Sequence, residues 1–144
     1  MRYMLIVKAT KYSEAGVRPS DELIASMSAF NEALASAGKL LAVEGLQPSA
    51  SGLRISYAEH GELPQVLAGP FEELHELIAG FTLIDVESEE EAIRWALRMP
   101  NPSGCGKGEI ELRLLREEAG LLNNSKGLAL EADLRDQLGM LKRS

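Results

Sequence analysis

Apolar and polar residues follow two periods along this chain, and these periods predict strands and helices. Residues 3–9 are apolar on both alternating faces except at Lys8, as expected of a strand buried between two layers. Residues 19–38 carry apolar side chains at helical spacing, with Ser20 placed to cap the helix and Gly38 to end it. A second helix is predicted from the capping pair Ser88 and Glu91 up to Pro100. Further strands are predicted over residues 40–46, 53–57, 64–67, 77–86 and 108–116.

This order of elements predicts an α+β fold of the ferredoxin-like type, with helices on one face of an antiparallel sheet. The strand predicted over residues 77–86 has apolar side chains at both alternating sets of positions between Phe81 and Val86. A sheet covered by helices on one side only normally has a polar open face. A second copy of the sheet would cover that face most simply, so the pattern predicts a homodimer.

The composition changes after Glu117, which divides the chain into a domain of residues 1–117 and a segment of residues 118–144. Residues 120–127 are typical of a linker. Leu130, Leu134, Leu138 and Leu141 then form one stripe of an amphipathic helix of about four turns. Its polar face carries both signs of charge, which favours docking over membrane binding. Docking on its own dimer, binding to another protein and disorder remain open.

Charge and cysteine content exclude several classes of function. The chain has 22 acidic and 15 basic residues and a formal net charge of -7, which argues against nucleic-acid binding. Cys105 is the only cysteine, so an intrachain disulfide and a zinc site built on several thiolates are excluded. Two histidines without ligand spacing predict no metal site, and no cofactor is predicted. The apolar start is too short for a signal sequence and no apolar run is long enough to span a membrane, so a cytoplasmic location is expected.

One run near the middle of the chain joins a tight turn to an acidic segment, Ala68-Gly69-Pro70-Phe71-Glu72-Glu73-Leu74-His75-Glu76. It is accompanied by Glu44-Gly45-Leu46-Gln47-Pro48, Ala79-Gly80-Phe81, Trp95-Ala96 and Glu109-Ile110-Glu111-Leu112-Arg113. Over residues 1–116 this set resembles the YCII-related proteins, and in particular their DGPF-motif branch. The resemblance implies a dimeric α+β barrel with a cleft. Ala68 stands where the motif has Asp, and His75 where Lys is usual.

The resemblance also bears on catalysis. In the broader family a His and an Asp are proposed as an acid–base dyad, and alignment on Gly38 and on Trp95 to Pro100 puts Met27 and Met99 at those positions. Neither methionine can transfer a proton. The inherited dyad is therefore missing, and both residues are predicted to pack in the core because they fall on apolar helical stripes.

His75 is the candidate catalytic residue, because histidine exchanges protons near neutral pH and Glu73 and Glu76 lie close enough in sequence to orient it. Lys8 interrupts an apolar strand, so its ammonium must meet a carboxylate, solvent or an anionic ligand. A solvated loop histidine and a lysine that reaches solvent at a strand end remain the ordinary alternatives.

Four further residues are candidates for lining a ligand cleft at the barrel mouth. Glu44 ends an apolar strand, and Arg113 lies on the polar face of the last strand, where it can bind a carboxylate. Phe71 and Phe81 would supply apolar walls. The alternatives are a salt bridge of Glu44 with Lys8 or Arg113, an ion pair of Arg113 within the sheet, and core packing of the two phenylalanines.

Three hypotheses about function follow. The first is a homodimer that binds a small, anionic organic molecule at the mouth lined by Lys8, Glu44, Phe71 and His75, together with Glu73, Phe81 and Arg113. The second is an enzyme of isomerase or lyase type that uses His75 in the same cleft. The third is a protein-interaction role, because DGPF-type proteins resemble proteins associated with extracytoplasmic-function sigma factors.

Overall fold

The computed structural model describes residues 1–59 and 61–117. His60 and the predicted linker and C-terminal helix lie outside the described residues. The elements in chain order are β1 (Arg2–Lys8), α1 (Lys11–Glu14), α2 (Asp21–Ser36), β2 (Leu40–Gly45), β3 (Leu53–Ser56), β4 (Gln65–Ala68), β5 (Ile78–Asp85), α3 (Glu89–Arg98) and β6 (Ile110–Leu114). Two short 3-10 turns cover Ser49–Ser51 and Leu74–Glu76.

Four strands form one antiparallel sheet in the order β2-β5-β1-β6. With α2 after β1 and α3 after β5, this is the ferredoxin-like arrangement, so the predicted fold is confirmed. Among the described residues, strands β3 and β4 pair with each other and not with the main sheet. They form a hairpin that lies between β2 and β5 in the sequence. The hairpin leads directly into the Gly-Pro-Phe turn.

The core lies between one face of the sheet and the helices α2 and α3. The buried side chains come from these elements, from the loop before α3 and from the residue after it; they are Tyr3, Leu5, Phe30, Leu34, Thr82, Ile84, Val86, Ala92 and Met99. Met27 and Trp95 pack against this cluster, and the Trp95 ring meets Phe30 edge-on with 6.3 Å between centroids. The predicted core packing of Met27 and Met99 is therefore confirmed.

Local sequence signals fix the helix ends. The Ser20 hydroxyl accepts the Leu23 amide at 3.2 Å, and Gly38 has a φ of 72°, a left-handed conformation that favours glycine. At α3 the Ser88 hydroxyl accepts the amide of Glu91 at 3.1 Å as predicted. The carboxylate of Glu91, however, accepts the amide of Glu87 rather than that of Ser88.

The carboxylate of Glu91 also joins α3 to the turn between α2 and β2. Its Oε1 lies 3.3 Å from the ammonium of Lys39. The Glu87 amide and, after it, Lys39 hold the pKa of Glu91 below its ordinary value, because both favour the charged form.

The other face of the sheet, called the open face, is apolar in the middle and carries charged residues at three of its four edge positions. Cross-strand pairing places two rows of side chains on it, Glu44–Phe81–Ile6–Glu111 and Ala42–Leu83–Met4–Arg113. The four central side chains in these rows are half-buried. The prediction of a central strand that is apolar on both sides therefore matches the positions of Phe81 and Leu83.

Candidate functional site

A cleft of about 680 Å³ opens at the end of β1. Its lining comes from the end of β1, the turn before β5 and the loop after α3, and consists of Lys8, Ala9, Thr10, Leu74, His75, Asn101, Gly106, Lys107, Gly108 and Glu109. Backbone hydrogen bonds hold these segments together: the Lys8 amide donates to the Glu109 carbonyl at 3.0 Å and the Ala9 amide to the Leu77 carbonyl at 3.1 Å. The volume is in the range of pockets that take small molecules.

Lysine side chains outnumber carboxylates in the cleft. Lys8, His75 and Lys107 line it together with one carboxylate residue, Glu109. Within residues 1–59 and 61–117 no carboxylate lies within ion-pair distance of the Lys8 ammonium. A half-buried lysine without such a partner needs water or an anionic ligand. The structure thus brings two of the predicted site residues, Lys8 and His75, into one cleft.

The carboxylates expected to orient His75 bind a different residue. Arg54, on β3, donates to Glu73 at 3.1 Å and lies 3.8 Å from Glu76. Its guanidinium carbon also stands 4.0 Å from the centre of the Phe71 ring, a cation–π contact. Arg54 therefore contacts both Glu73 and Phe71 at the base of the hairpin.

Sequence reasoning missed Arg54, although a signal was present. It is the polar residue between Leu53 and Ile55, so strand alternation places it on the opposite face of the hairpin from these two. What the alternation does not show is its partners, because Glu73 lies 19 residues further along the chain.

The pKa of Glu73 is held below its ordinary value first by its own backbone amide and then by Arg54.

Replacing Arg54 by glutamine is expected to raise this pKa, while leaving it below the ordinary value because the backbone amide remains. The carboxyl pKa can be followed by NMR titration, with Arg113→Gln as the control that leaves Glu73 unchanged. A lowered pKa stabilises the fold above the unfolded-state value near 4.5, so the part of the stability difference between wild type and Arg54→Gln that comes from Glu73 should be lost as the pH falls through the folded pKa, while the part that comes from the Phe71 contact remains. An unchanged Glu73 pKa in Arg54→Gln would contradict the contact.

A polar network anchors the Gly-Pro-Phe turn to α1. The Ser49 amide donates to the Glu14 carboxylate at 3.0 Å, and the Ser49 hydroxyl donates to the same carboxylate. That hydroxyl in turn accepts the amide of Phe71 at 3.0 Å, and the amide of Gly69 donates to the Gly52 carbonyl at 2.9 Å. The turn is therefore held from two sides.

The remaining predicted site residues lie on the open face of the sheet. Glu44 and Phe81 are direct cross-strand neighbours there. Arg113 lies opposite Met4 and donates to Glu111 at 3.1 Å, an exposed ion pair of small energetic weight. The seven predicted residues thus occupy three places: the cleft, the hairpin base and the open face.

Two other features are absent from the described part of the chain. No group of three histidine, cysteine or acidic side chains there is arranged to hold a metal ion. No helix in the same residues combines the length and apolar character needed to cross a membrane.

The fold and cleft together define an α+β protein of ferredoxin-like topology with a cationic cleft at one end of its sheet. A family model, the YCII-related domain, matches residues 1–117. The chain therefore belongs to the YCII-related family, which confirms the resemblance seen in the sequence at the level of the family. A comparison with curated proteins found no match.

Proposed function

We propose that the protein is a homodimer that binds a small anionic organic molecule in the cleft at the end of β1. The observation that carries this proposal is the position of Lys8, half-buried in the cleft beside His75 and Lys107, with no carboxylate of the described residues in ion-pair distance. A carboxylate or phosphate group on a ligand would supply the missing counter-charge and accept charge-assisted hydrogen bonds.

Two surfaces support the dimeric part of the proposal. The open face places Met4, Ile6, Phe81 and Leu83 at the centre of the sheet, opposite the covered core. The β3–β4 hairpin also exposes apolar side chains, among them Leu53, Ile55 and Val66, although an isolated two-stranded hairpin is only marginally stable in water. A second copy would cover apolar surface that a monomer leaves to solvent.

Binding of named anions tests the ligand part of the proposal. We expect citrate, succinate or inorganic phosphate to bind in isothermal titration calorimetry and to raise the melting temperature. Lys8→Gln should weaken that binding at least tenfold, because a hydrogen bond to a charged group contributes about 1.5–3 kcal/mol.

Lys11→Gln is the matched control, since Lys11 is an exposed lysine that follows the same strand but does not line the cleft. Equal affinity of wild type and Lys8→Gln for every anion that binds, or no binding of any of the three, would contradict the proposal.

A second candidate function is acid–base catalysis of isomerase or lyase type in the same cleft. It is favoured by the presence of the His75 imidazole in the lining beside Lys8. An anion that binds and is also converted would establish catalysis, and His75→Gln should then lower kcat by about a hundredfold or more while binding is retained. Conversion that survives His75→Gln would exclude His75 as the proton carrier.

A further inference from the structure

An apolar groove of about 570 Å³ lies between α3 and β6 and borders the cationic cleft, with which it shares Asn101, Gly108 and Glu109. Helix α3 contributes Ile93, Ala96 and Leu97 to it, and β6 contributes Ile110 and Leu112. Leu97 is 81% exposed and Ile93 is 42% exposed. These two residues are four positions apart, so they form one stripe on the helix surface.

This stripe is separate from the one that α3 uses for the core. Ala92 and Met99 are buried, and Trp95 and Ala96 pack against the core cluster. Leu114, at the end of β6, is also exposed although it pairs with the buried Tyr3 on the covered face of the sheet. The helix layer therefore leaves the edge strand β6 partly uncovered, and an edge strand is commonly covered by a helix or loop.

The chain leaves the described region at the end of β6, near the start of α3. Leu115, which follows β6, donates its amide to the Arg2 carbonyl at 2.9 Å, and Val86, which leads into α3, donates to the Met1 carbonyl at 2.8 Å. The exit from β6 is thus close to the start of α3. A helix that follows β6 needs one reversal of direction to run back along the groove.

The length of the remaining chain matches the groove. The leucine stripe spans residues 130–141, which as a helix is about 18 Å long, while α3 has 10 residues and is about 15 Å long. The 12 residues from 118 to 129 reach up to about 40 Å when extended, which is more than the reversal requires.

We propose that residues 128–142 dock in the groove between α3 and β6 of their own chain, with the stripe Leu130, Leu134, Leu138 and Leu141 covering Ile93, Leu97 and Leu112. The proposal does not depend on ligand binding or on the dimer. It gives the predicted C-terminal helix an intramolecular site and completes the helix layer over β6.

Stability of full-length variants provides the first test. Ile93→Gln is expected to lower the melting temperature by at least about 3 °C more than Ile24→Gln. Ile24 lies on α2, is equally 42% exposed and lines no part of the groove, so it is a closely matched control. Leu134→Gln should lower the melting temperature as well, and its effect should be smaller in the Ile93→Gln background, since the two residues share one contact. Equal melting temperatures of Ile93→Gln and Ile24→Gln, or full additivity with Leu134→Gln, would overturn the proposal.

Cross-linking provides a second test and identifies the chain that fills the groove. Cys105 is exposed and is first replaced by serine. Leu97→Cys is then combined in turn with Leu130→Cys, Leu134→Cys and Leu138→Cys. Docking would bring at least one of the three residues close to Leu97. Disulfides form only where the Cα atoms lie within about 7 Å, so at least one pair should oxidise to an intrachain disulfide. The same three cysteines combined with Ile24→Cys serve as the control.

A cross-linked species with the mass of one chain, formed by Leu97→Cys and not by Ile24→Cys, supports the proposal. A covalent dimer as the only product would place the segment on a second copy and overturn it. Equal cross-linking from Leu97→Cys and Ile24→Cys, or none from either, would overturn it as well.

Discussion

Replacing Gly69 by alanine is expected to destabilise the protein by about 3 kcal/mol, at the upper end of the usual cost of overpacking. A Cβ at this position would lie 1.8 Å from the carbonyl oxygen of Ser49, a backbone atom that cannot move alone. Ser49 is itself tied to Glu14 and to the amide of Phe71. The clash would therefore displace the whole connection between α1, the loop after β2 and the Gly-Pro-Phe turn.

Urea denaturation of Gly69→Ala and Gly45→Ala measures this effect. Gly45 is the matched control, because a Cβ there meets no atom within 4 Å and its backbone does not require glycine. We expect Gly45→Ala to change the free energy of unfolding by less than about 1 kcal/mol. Similar free energies for the two variants would show that the turn accommodates a side chain and would contradict the close packing of Gly69 on Ser49.

The fold was predictable because its signals are local. The alternation of β1 and the helical spacing of α2 report which faces are apolar, and Ser20 and Gly38 mark the ends of α2. The helix α1 was missed because four residues are too few to show a helical period. Its available signal was the pair Thr10 and Ser13, whose side chains each accept the other's backbone amide.

The site was less predictable, because it depends on distances between residues that are remote in sequence. Lys8 was singled out by its place in an apolar strand, and it does line the cleft with His75. The sequence did not indicate that Arg54 would bind Glu73, or that Lys107 would join the same cleft as Lys8. Those contacts follow from how the hairpin and the loop after α3 are placed around the sheet.

The groove beside α3 was also not predictable from the sequence, because it depends on which face of the helix the sheet covers. The sequence predicted a helix here and assigned Met99 to its apolar stripe. Only the packed structure shows that Ile93 and Leu97 fall on a second stripe that the sheet does not cover. That uncovered stripe is the surface on which the proposed docking of the C-terminal leucine stripe depends.

Leu83→Asp is expected to abolish the proposed homodimer. Leu83 lies on the open face between Ala42 and Met4, at the centre of the apolar strip. In a dimer that pairs two open faces, each copy would bury an aspartate without a partner. An uncompensated buried charge costs about 3–5 kcal/mol, which is at least a hundredfold in the dissociation constant.

Light scattering after size-exclusion chromatography at micromolar concentration measures the mass of each variant. Wild type is expected to have the mass of two chains and Leu83→Asp the mass of one. Ile24→Asp introduces the same carboxylate on the exposed side of α2 and should remain dimeric, with circular dichroism checking that both variants are folded. Should Leu83→Asp fail to fold, Leu83→Ser provides the milder change, expected to weaken the dimer because it removes apolar surface without adding a charge. A monomeric wild type, or a Leu83→Ser dimer as tight as that of the wild type, would show that the open face is not where two copies meet.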